Sequence, residues 1–327
     1  MNQIDAAQFH RDSIIVDGLN ASNFYEPRIF NRLHQGGVTA VNATIAAWHS
    51  LPETMKIIGD MLHAFEQYDE LIMPVRHAAD IQKAKASNRV GIIFGFQDTA
   101  PIGDNLRLLS VYQALGVRII QLTYNHTNRV GSGNLVPNDE GLTPFGREVV
   151  AEMNRLGILV DVSHCGPRTT LDAIEASSKP IAFTHANPLA LCQHPRNKSD
   201  DALKALAAKG GVVGVVVFPP LLTCSGQATV DDYVAAIDYL VNLIGIEHVG
   251  LGPDFMEEMT PEIAAQALRG MSPHALAAFT AVKPTAGFES IAACGNVTAA
   301  LLAHGYSADD VKKIMGGNWL RLYQEVW

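Results

Sequence analysis

Short runs of apolar, mostly β-branched residues alternate with amphipathic segments along the whole chain. The runs are continuously apolar rather than alternating in polarity, which is typical of strands buried on both faces, as in parallel sheets. The segments between them repeat their apolar positions at helical spacing. The predicted strands are 13–17, 38–45, 90–96, 117–124, 158–164, 181–185, 211–218 and 248–254, and the clearest predicted helices are 51–68, 105–115, 144–156, 169–176 and 231–244.

Strands that alternate with helices suit either a closed (β/α)8 TIM barrel or an open, doubly wound sheet. Polar side chains decide between the two, because they follow the predicted strands just where each one ends. These residues are Gln97, Tyr124, His164, His185 and Asp254. A barrel gathers all its carboxyl-terminal strand ends at one mouth, whereas an open sheet disperses them along a line. The pattern therefore favours an α/β TIM barrel.

The domain organisation predicted from the sequence is a single domain over residues 1–327, since no linker or low-complexity stretch divides it. The barrel is expected over about 12–256 and a helical C-terminal extension over about 257–327. We expect this extension to cover the barrel or to support a partner subunit. The Gly-, Asn- and Pro-rich stretch 125–142 is predicted to be a lid or substrate loop.

Charge and apolar length exclude two classes of partner. Acidic residues outnumber basic ones by 33 to 24 and no basic tract stands out, so we expect no nucleic acid partner. The longest apolar run, 212–222, contains two prolines and is too short to span a bilayer, and residues 1–11 do not resemble a signal peptide. Four widely spaced cysteines without a CxxC motif predict reduced thiols and a cytoplasmic protein. They are Cys165, Cys192, Cys224 and Cys294.

His164 and His185 are the strongest candidates for chemistry. Both follow consecutive predicted strands, so their imidazoles should emerge side by side at the mouth, close enough to share one cation. Asp254, after the last predicted strand, adds a carboxylate that would complete the metal shell or move a proton. The competing interpretation is a structural hydrogen-bond network.

Arg196 lies in the loop after the strand that ends at His185. Its ordinary interpretation is a surface salt bridge. The functional one is a two-pronged clamp on a substrate carboxylate, which the planar guanidinium suits better than a lysine does. From the sequence alone the two are evenly matched.

Several motifs, in order along nearly the whole chain, resemble those of the membrane dipeptidase (renal dipeptidase) family, peptidase family M19 of the metal-dependent amidohydrolases. The most specific stretch runs from Gly-Leu-Thr-Pro-Phe-Gly-Arg-Glu-Val-Val at 141–150 through Met-Asn-Arg-Leu-Gly to Asp-Val-Ser-His at 161–164. The others are Thr-His at 184–185, Pro-Arg-Asn at 195–197, Gly-Leu-Gly-Pro-Asp-Phe at 250–255 and Gly-Gly-Asn-Trp-Leu-Arg at 316–321.

This resemblance implies a binuclear zinc centre that cleaves dipeptides with metal-activated water. By the same resemblance, His164 and His185 match the two histidines of one metal, and Arg196 matches the arginine that holds the dipeptide carboxylate. Asp254 matches the acid that works with the bridging water and the substrate amino group. The family also implies a homodimer.

The sequence departs from the family at four positions of the site. The first-strand His-x-Asp pair of the family is replaced by Leu19 and Ala21, within Asp-Gly-Leu-Asn-Ala. The bridging glutamate is Gln97, and a substrate-contacting histidine is Tyr124. The two lost carboxylates would leave a second dication poorly compensated. We therefore expect at most one zinc or other divalent ion per chain, held by His164 and His185 with help from Asp254 or, weakly, Gln97; a site without metal is the alternative.

Other residues do not restore the missing ligands. His10 and Asp12 form the other His-x-Asp of the chain, but they precede the first strand and should lie at the opposite end of the barrel. Asp98 and His126 are conceivable substitutes, each better interpreted as an ordinary loop residue.

Three hypotheses follow from these observations. The favoured one is a metal-dependent hydrolase for a dipeptide or a similar small amide with a free carboxylate, using an altered mononuclear site. The alternative is a metal-free, non-hydrolytic descendant that binds a small carboxylated ligand. The third, a purely structural subunit, gives no reason to keep Arg196 and Asp254 together.

Overall fold

A computed structural model describes residues 4–267 and 273–327. Within these residues nine strands form one parallel sheet. The strands are β1 Val16–Asn20, β2 Ala40–Ala46, β3 Ile72–Pro74, β4 Val90–Phe96, β5 Val117–Gln121, β6 Leu159–Asp161, β7 Ala182–Phe183, β8 Val212–Val215 and β9 Val249–Leu251.

Helices follow most strands and continue after the last one. They are α1 Ala6–Asp12, α2 Arg28–Gln35, α3 Leu51–Gln67, α4 Ala78–Ala86, α5 Leu108–Leu115, α6 Pro144–Leu156, α7 Pro167–Ala176, α8 Asp200–Ala208, α9 Pro219–Leu222, α10 Val230–Ile244, α11 Pro261–Ala267, α12 Pro273–Thr280, α13 Cys294–Ala303, α14 Ala308–Lys312 and α15 Asn318–Val326. Single 3₁₀ turns lie at Ala100–Ile102, Ile246–His248 and Ile291–Ala293, and a π-helical turn at Lys313–Gly317 joins α14 to α15.

Eight of the strands close into a ring, in the order β1, β2, β4, β5, β6, β7, β8, β9 and back to β1. Closure is made by the pairing of Asp17 with Leu251, and β2 and β4 pair directly from Ala40 to Ala46. The extra strand β3 pairs with the first half of β4. The chain is therefore a TIM barrel with C-terminal helices, as the pattern of apolar runs predicts, and the open doubly wound sheet is excluded.

The five strands β5 to β9 end earlier than predicted, whereas β1 and β2 end later. β6 stops at Asp161 and β7 at Phe183, so His164 and His185 lie in the turns that follow. The reason is local, because side chains take over the hydrogen bonding there. The Asp161 carboxylate accepts from the backbone N–H groups of Ser163 and Thr184, and so ends the ladder.

The helices begin and end where the sequence supplies caps. Thr143 accepts a hydrogen bond from the N–H of Gly146 and is followed by Pro144, the residue type favoured at a first helical position. At the other end of α6, Gly157 adopts the left-handed conformation, with φ of 67°. This helix thus begins and ends where predicted, directly before β6.

Two apolar clusters hold the barrel together. The larger lies between the outer faces of the strands and the surrounding helices. The smaller fills the lower part of the ring, where residues from the strand starts, such as Val16, Ala40 and Val212, meet Trp319 and Leu322 of α15. The C-terminal segment therefore covers the amino-terminal end of the barrel.

Two glycines make room for that closure. A Cβ atom on Gly18 would lie 2.5 Å from Trp319, and so would one on Gly250. Trp319 donates its indole N–H to the carbonyl of Leu251, 2.9 Å away. The predicted Gly-Gly-Asn-Trp motif is thus part of the floor of the barrel, far from the mouth.

The four cysteines differ in their bonding. Cys192 and Cys224 form a disulfide, so the prediction of four reduced thiols is wrong for this pair. Both lie in loops at the carboxyl ends of strands, and separation by 32 residues hides the pairing from the sequence. Cys165 and Cys294 are free and buried.

His10 is buried against Thr298 and Gly36, away from the mouth.

No helix in the described ranges 4–267 and 273–327 has both the length and the apolar character needed to cross a bilayer.

Candidate active site at the barrel mouth

The two predicted histidines lie next to each other at the mouth. Their Nε2 atoms are 2.9 Å apart, and their rings are tilted by 51° with centroids 4.9 Å apart. Both imidazoles are buried. The structure therefore brings together the pair that the sequence singled out, although both residues lie just beyond their strands.

Hydrogen bonds on the other ring nitrogens orient both imidazoles. The Thr184 hydroxyl donates to Asp161, at 2.5 Å, and so accepts from the His185 Nδ1–H at 2.8 Å. His164 Nδ1 donates to the side-chain oxygen of Asn125 at 2.7 Å. With both Nδ1 atoms protonated, the neutral rings direct their two Nε2 lone pairs at one point.

The charge state of the pair agrees with this arrangement. Burial holds the pKa of His164 and of His185 well below the usual range, and the nearby Arg196 cation lowers both further. Neutral imidazoles with converging lone pairs are the form in which histidines ligate a metal. Two nitrogens bonded to one tetrahedral zinc at about 2.0–2.1 Å lie about 3.3 Å apart, so the observed separation of 2.9 Å is somewhat shorter than, but close to, that of a shared cation.

The pair has no third ligand of the expected kind. Among residues 4–267 and 273–327, no group of three His, Cys, Asp or Glu side chains is placed to hold a metal ion. That Asp254 helps the histidines hold a metal stays a prediction. Asp254 follows β9, two strands away from His185, and its N–H bonds to Leu19 on the side of β1. The histidine pair fits half of a metal site.

Gln97, the weak candidate ligand, lies at the end of β4. Its amide NH2 donates to the Thr44 hydroxyl at 2.9 Å, while its Oε1 is buried without a hydrogen-bond partner in the described part of the chain. A neutral amide oxygen with no donor is available to a cation or to water, but it brings no negative charge.

Leu19 and Ala21 occupy the end of β1, where the family has its His-x-Asp pair. Leu19 is 2% exposed and lies outside both apolar clusters. Ala21 bonds through its N–H to the carbonyl of Phe255. Neither side chain can bind a metal, so this side of the mouth has no ligand from β1.

Arg196 is 6% exposed and is anchored by the main chain. It donates to the carbonyl of Ser163 at 2.5 Å and to the carbonyl of His185 at 2.9 Å. The surface salt bridge is therefore excluded, since the guanidinium is buried and bonded to carbonyls. Two of its five N–H groups hold the turns that carry the histidines, and the others remain for a ligand.

Asp254 supplies a buried carboxylate with a raised pKa. Burial raises its pKa to about 7, against the opposing effect of Arg196. Its backbone lies in the left-handed region, with φ of 64°, a conformation that is uncommon outside glycine and often found at functional sites. A carboxyl that titrates near neutrality can act as a general base or acid.

Tyr124 lies flat on His164. Its ring is stacked on the imidazole at 4.1 Å with an angle of 17°, and the edge of Trp48 meets its other side at 4.7 Å. The aromatic stack fixes the plane of His164. Tyr124 therefore lies beside the histidine pair, as a substrate-binding residue would.

The two possible substitute ligands have other roles. Asp98 accepts from the N–H of Ala100 and from the N–H of Tyr124, and so fixes the chain after β4 and β5. His126 is exposed. Neither adds a ligand to the histidine pair.

Lys198 is a site residue that sequence reasoning missed. It is 5% exposed, and its ammonium donates to the carbonyls of Val162 and Cys165, at 3.1 and 2.8 Å. These carbonyls flank His164 on both sides. Burial lowers the pKa of Lys198 to about 7, and Arg196 lowers it further. A charge whose hydrogen bonds go to main-chain carbonyls leaves no pattern in the sequence beyond its place two residues after Arg196.

Comparisons with known proteins identify the family to which the sequence is similar. A model of the membrane dipeptidase family, peptidase family M19, matches residues 9–266. The dipeptidase tcpJ of Claviceps purpurea is 31% identical over 85% of this chain and 60% of its own length, and the dipeptidase aclJ of Aspergillus oryzae is 30% identical over 82% and 60%. The chain thus spans about 60% of the length of these curated relatives.

Solved structures give the same result. An amidohydrolase from Pseudomonas aeruginosa superposes with a TM-score of 0.94 at 37% identity, over 99% of both chains. A metallopeptidase from Rhodobacter sphaeroides, bound to a phosphinate mimic of L-Ala-D-Ala, superposes with a TM-score of 0.81 at 21% identity, over 96% of this chain and all of its own. At that identity the second likeness concerns the fold alone.

Proposed function

The chain belongs to the membrane dipeptidase family, peptidase family M19, and from this we propose that it hydrolyses dipeptides or similar small amides that carry a free carboxylate. The observation that carries the proposal is the histidine pair, with its two Nε2 atoms 2.9 Å apart and its lone pairs convergent. The proposed cofactor is one divalent ion, zinc or another, held by His164 and His185.

When bound, such an ion polarises a carbonyl and lowers the pKa of a coordinated water. The residues of the chain supply the remaining functions. The free N–H groups of Arg196 bind the substrate carboxylate, and Tyr124 keeps the plane of His164 fixed. Asp254, with a pKa of about 7, takes a proton from the attacking water and returns it to the leaving amine.

The direct test is metal content together with a panel of dipeptides. We expect the zinc-loaded protein to hold up to one ion per chain and to lose it in His164→Gln and His185→Gln. His248→Gln is the matched control, since His248 bonds to the carbonyl of Gly211 outside the mouth. Less than about a tenth of an ion per chain after loading, with no turnover of any dipeptide, would sink the proposal.

A metal-free binding protein is the second candidate, and one observation favours it. The described residues contain no three-ligand group of His, Cys, Asp and Glu at the mouth. Calorimetry in the presence of a chelator separates the two functions. Ligand binding that disappears on chelation argues against the metal-free function.

The predictions of a homodimer and of a cytoplasmic location stay predictions. Light scattering tests the first. The Cys192–Cys224 disulfide bears on the second, because such bonds are more typical of oxidising compartments.

A further inference from the structure

A short antiparallel ribbon places Asn134 opposite His164. Gly133 pairs with Cys165, the N–H of Asn134 donates to the carbonyl of His164 at 2.9 Å, and the N–H of Gly166 donates to Ser132 at 2.9 Å. Residues that face each other across an antiparallel pair project their side chains from the same face. The backbone of Asn134 is therefore fixed directly opposite that of His164.

The ribbon is held close to the support of that imidazole. A Cβ atom on Gly133 would lie 2.2 Å from the carbonyl carbon of Asn125, so only a glycine fits there. Asn125 is the residue that bonds to His164 Nδ1. The loop 125–142 thus delivers both Asn125 and Asn134 to one side of His164, which fits the prediction of a substrate loop.

The side-chain amide of Asn134 has no partner. It is 8% exposed, and neither its Nδ2 nor its Oδ1 has a hydrogen bond in the part of the chain that is described. Asn187 exchanges both hydrogen bonds with Val216. Asn42 and Asn197 also have an unpaired Oδ1, but each donates through its Nδ2. Buried polar groups are usually paired, and leaving one unpaired costs stability. A group kept in this state beside a candidate catalytic histidine is suited to a ligand.

We propose that the amide of Asn134 binds an amide group of the ligand next to the histidine pair, an assignment that rests on the proposed function. An amide ligand offers an N–H to Oδ1 or a carbonyl to Nδ2. A peptide N–H can donate to Oδ1, whereas an ester or a carboxylate has no N–H and leaves Oδ1 unpaired. Asn134 is thus a specificity-determining residue that distinguishes amides from esters.

Calorimetry on the metal-free full chain tests the assignment with Ala-Ala and with its ester analogue, alanyl-lactate, which lacks the peptide N–H. We expect the wild type to bind the dipeptide about 10-fold more tightly than the ester, because an unmatched buried acceptor is penalised. In Asn134→Leu the two affinities should become equal. A preference that survives in Asn134→Leu, or a wild type that binds no dipeptide, overturns the assignment.

Thermal unfolding gives a readout that needs no ligand. Asn134→Leu should raise Tm, since it removes an unpaired buried amide in a similar volume. Asn154→Leu is the matched control and should lower Tm, because Asn154 is a buried amide with partners. A fall in Tm for both variants would show that Asn134 is partnered and would overturn the assignment. Failure of the proposed function is distinct: it is the absence of turnover in a metal-loaded wild type that still binds the dipeptide.

Discussion

The two sides of the barrel mouth differ in how much of a hydrolytic site they keep. On the side of β6 and β7, His164 and His185 are held by Asp161, Arg196 and Lys198, each with several hydrogen bonds. On the side of β1 and β4, Leu19 and Gln97 stand where the resemblance predicts metal ligands, and the Gln97 oxygen has no partner in the described residues. The contrast shows that the hydrogen bonds that support candidate ligands are concentrated on the side that carries the two histidines.

Asp161→Asn should break the retained side most severely. The carboxylate accepts four hydrogen bonds, from the N–H and hydroxyl groups of Ser163 and Thr184. An amide would turn its NH2 towards either the Thr184 hydroxyl or the three donors on Oδ1, so we expect a loss of about 2–4 kcal/mol in the free energy of unfolding and weaker metal binding. Urea unfolding measures the first and metal titration the second. Asp232→Asn, at an exposed helix cap, is the control and should cost about 1 kcal/mol or less. Equal losses in both variants would contradict the special role of Asp161.

Restoring the depleted side should add a second metal. The combined variant Leu19→His, Ala21→Asp and Gln97→Glu returns two carboxylates and one imidazole to the end of β1 and β4. We expect zinc content to rise from at most one to two ions per chain, with a gain of dipeptidase activity. Elemental analysis after dialysis measures the change. Leu19→Gln with Ala21→Asn is the control that adds polarity without strong ligands; no added metal in the triple variant would mean that the first strand is wrongly matched to the family.

Lys198→Met should loosen the retained side without removing a ligand. The ammonium holds the carbonyls on either side of His164, so its loss should weaken metal binding about 10-fold with a smaller effect on Tm. Lys209→Met is the matched control, because Lys209 holds the carbonyls of Glu175 and Ser177 at the end of α7, away from the mouth. Metal affinity that is unchanged in Lys198→Met would show that the hydrogen bonds of Lys198 have no influence on the histidines.

Asp254→Asn should alter the pH dependence of stability, the mildest of these effects. The carboxyl has a pKa of about 7 in the folded protein, above its ordinary value of 3.8, because burial disfavours its charge. The folded state thus binds the proton more tightly, and this group makes the free energy of unfolding fall as the pH rises from about 4 to about 7. The asparagine variant should lack this fall and be the more stable protein at pH 8, but not at pH 4. Parallel pH profiles of urea unfolding for the two proteins would contradict the assignment.

Much of the fold follows from the sequence for identifiable reasons. Continuous apolar runs mark the eight ring strands, because each is buried on both faces. The extra strand Ile72–Pro74 escapes prediction, since three residues ending in a proline give no periodic signal. The floor formed by Trp319 is equally hidden, because it joins residues from opposite ends of the chain.

The site divides in the same way. The position of His164 beside His185 is predictable, because consecutive parallel strands deliver their ends to one rim. The anchoring of Arg196 and Lys198 is not, since both bond to main-chain carbonyls that every residue possesses. The missing partners of Gln97 and Asn134 are visible only once distances are known.

The placement of α15 has a consequence for biosynthesis. Every ring strand leaves the ribosome before Trp319. Until Trp319 and Leu322 are synthesised, the apolar residues at the lower end of the ring lack these packing partners. A nascent chain stopped before residue 318 would therefore expose an open apolar cavity, and we expect it to recruit chaperones rather than to close early. We therefore expect the barrel to complete its folding only after α15 has been synthesised.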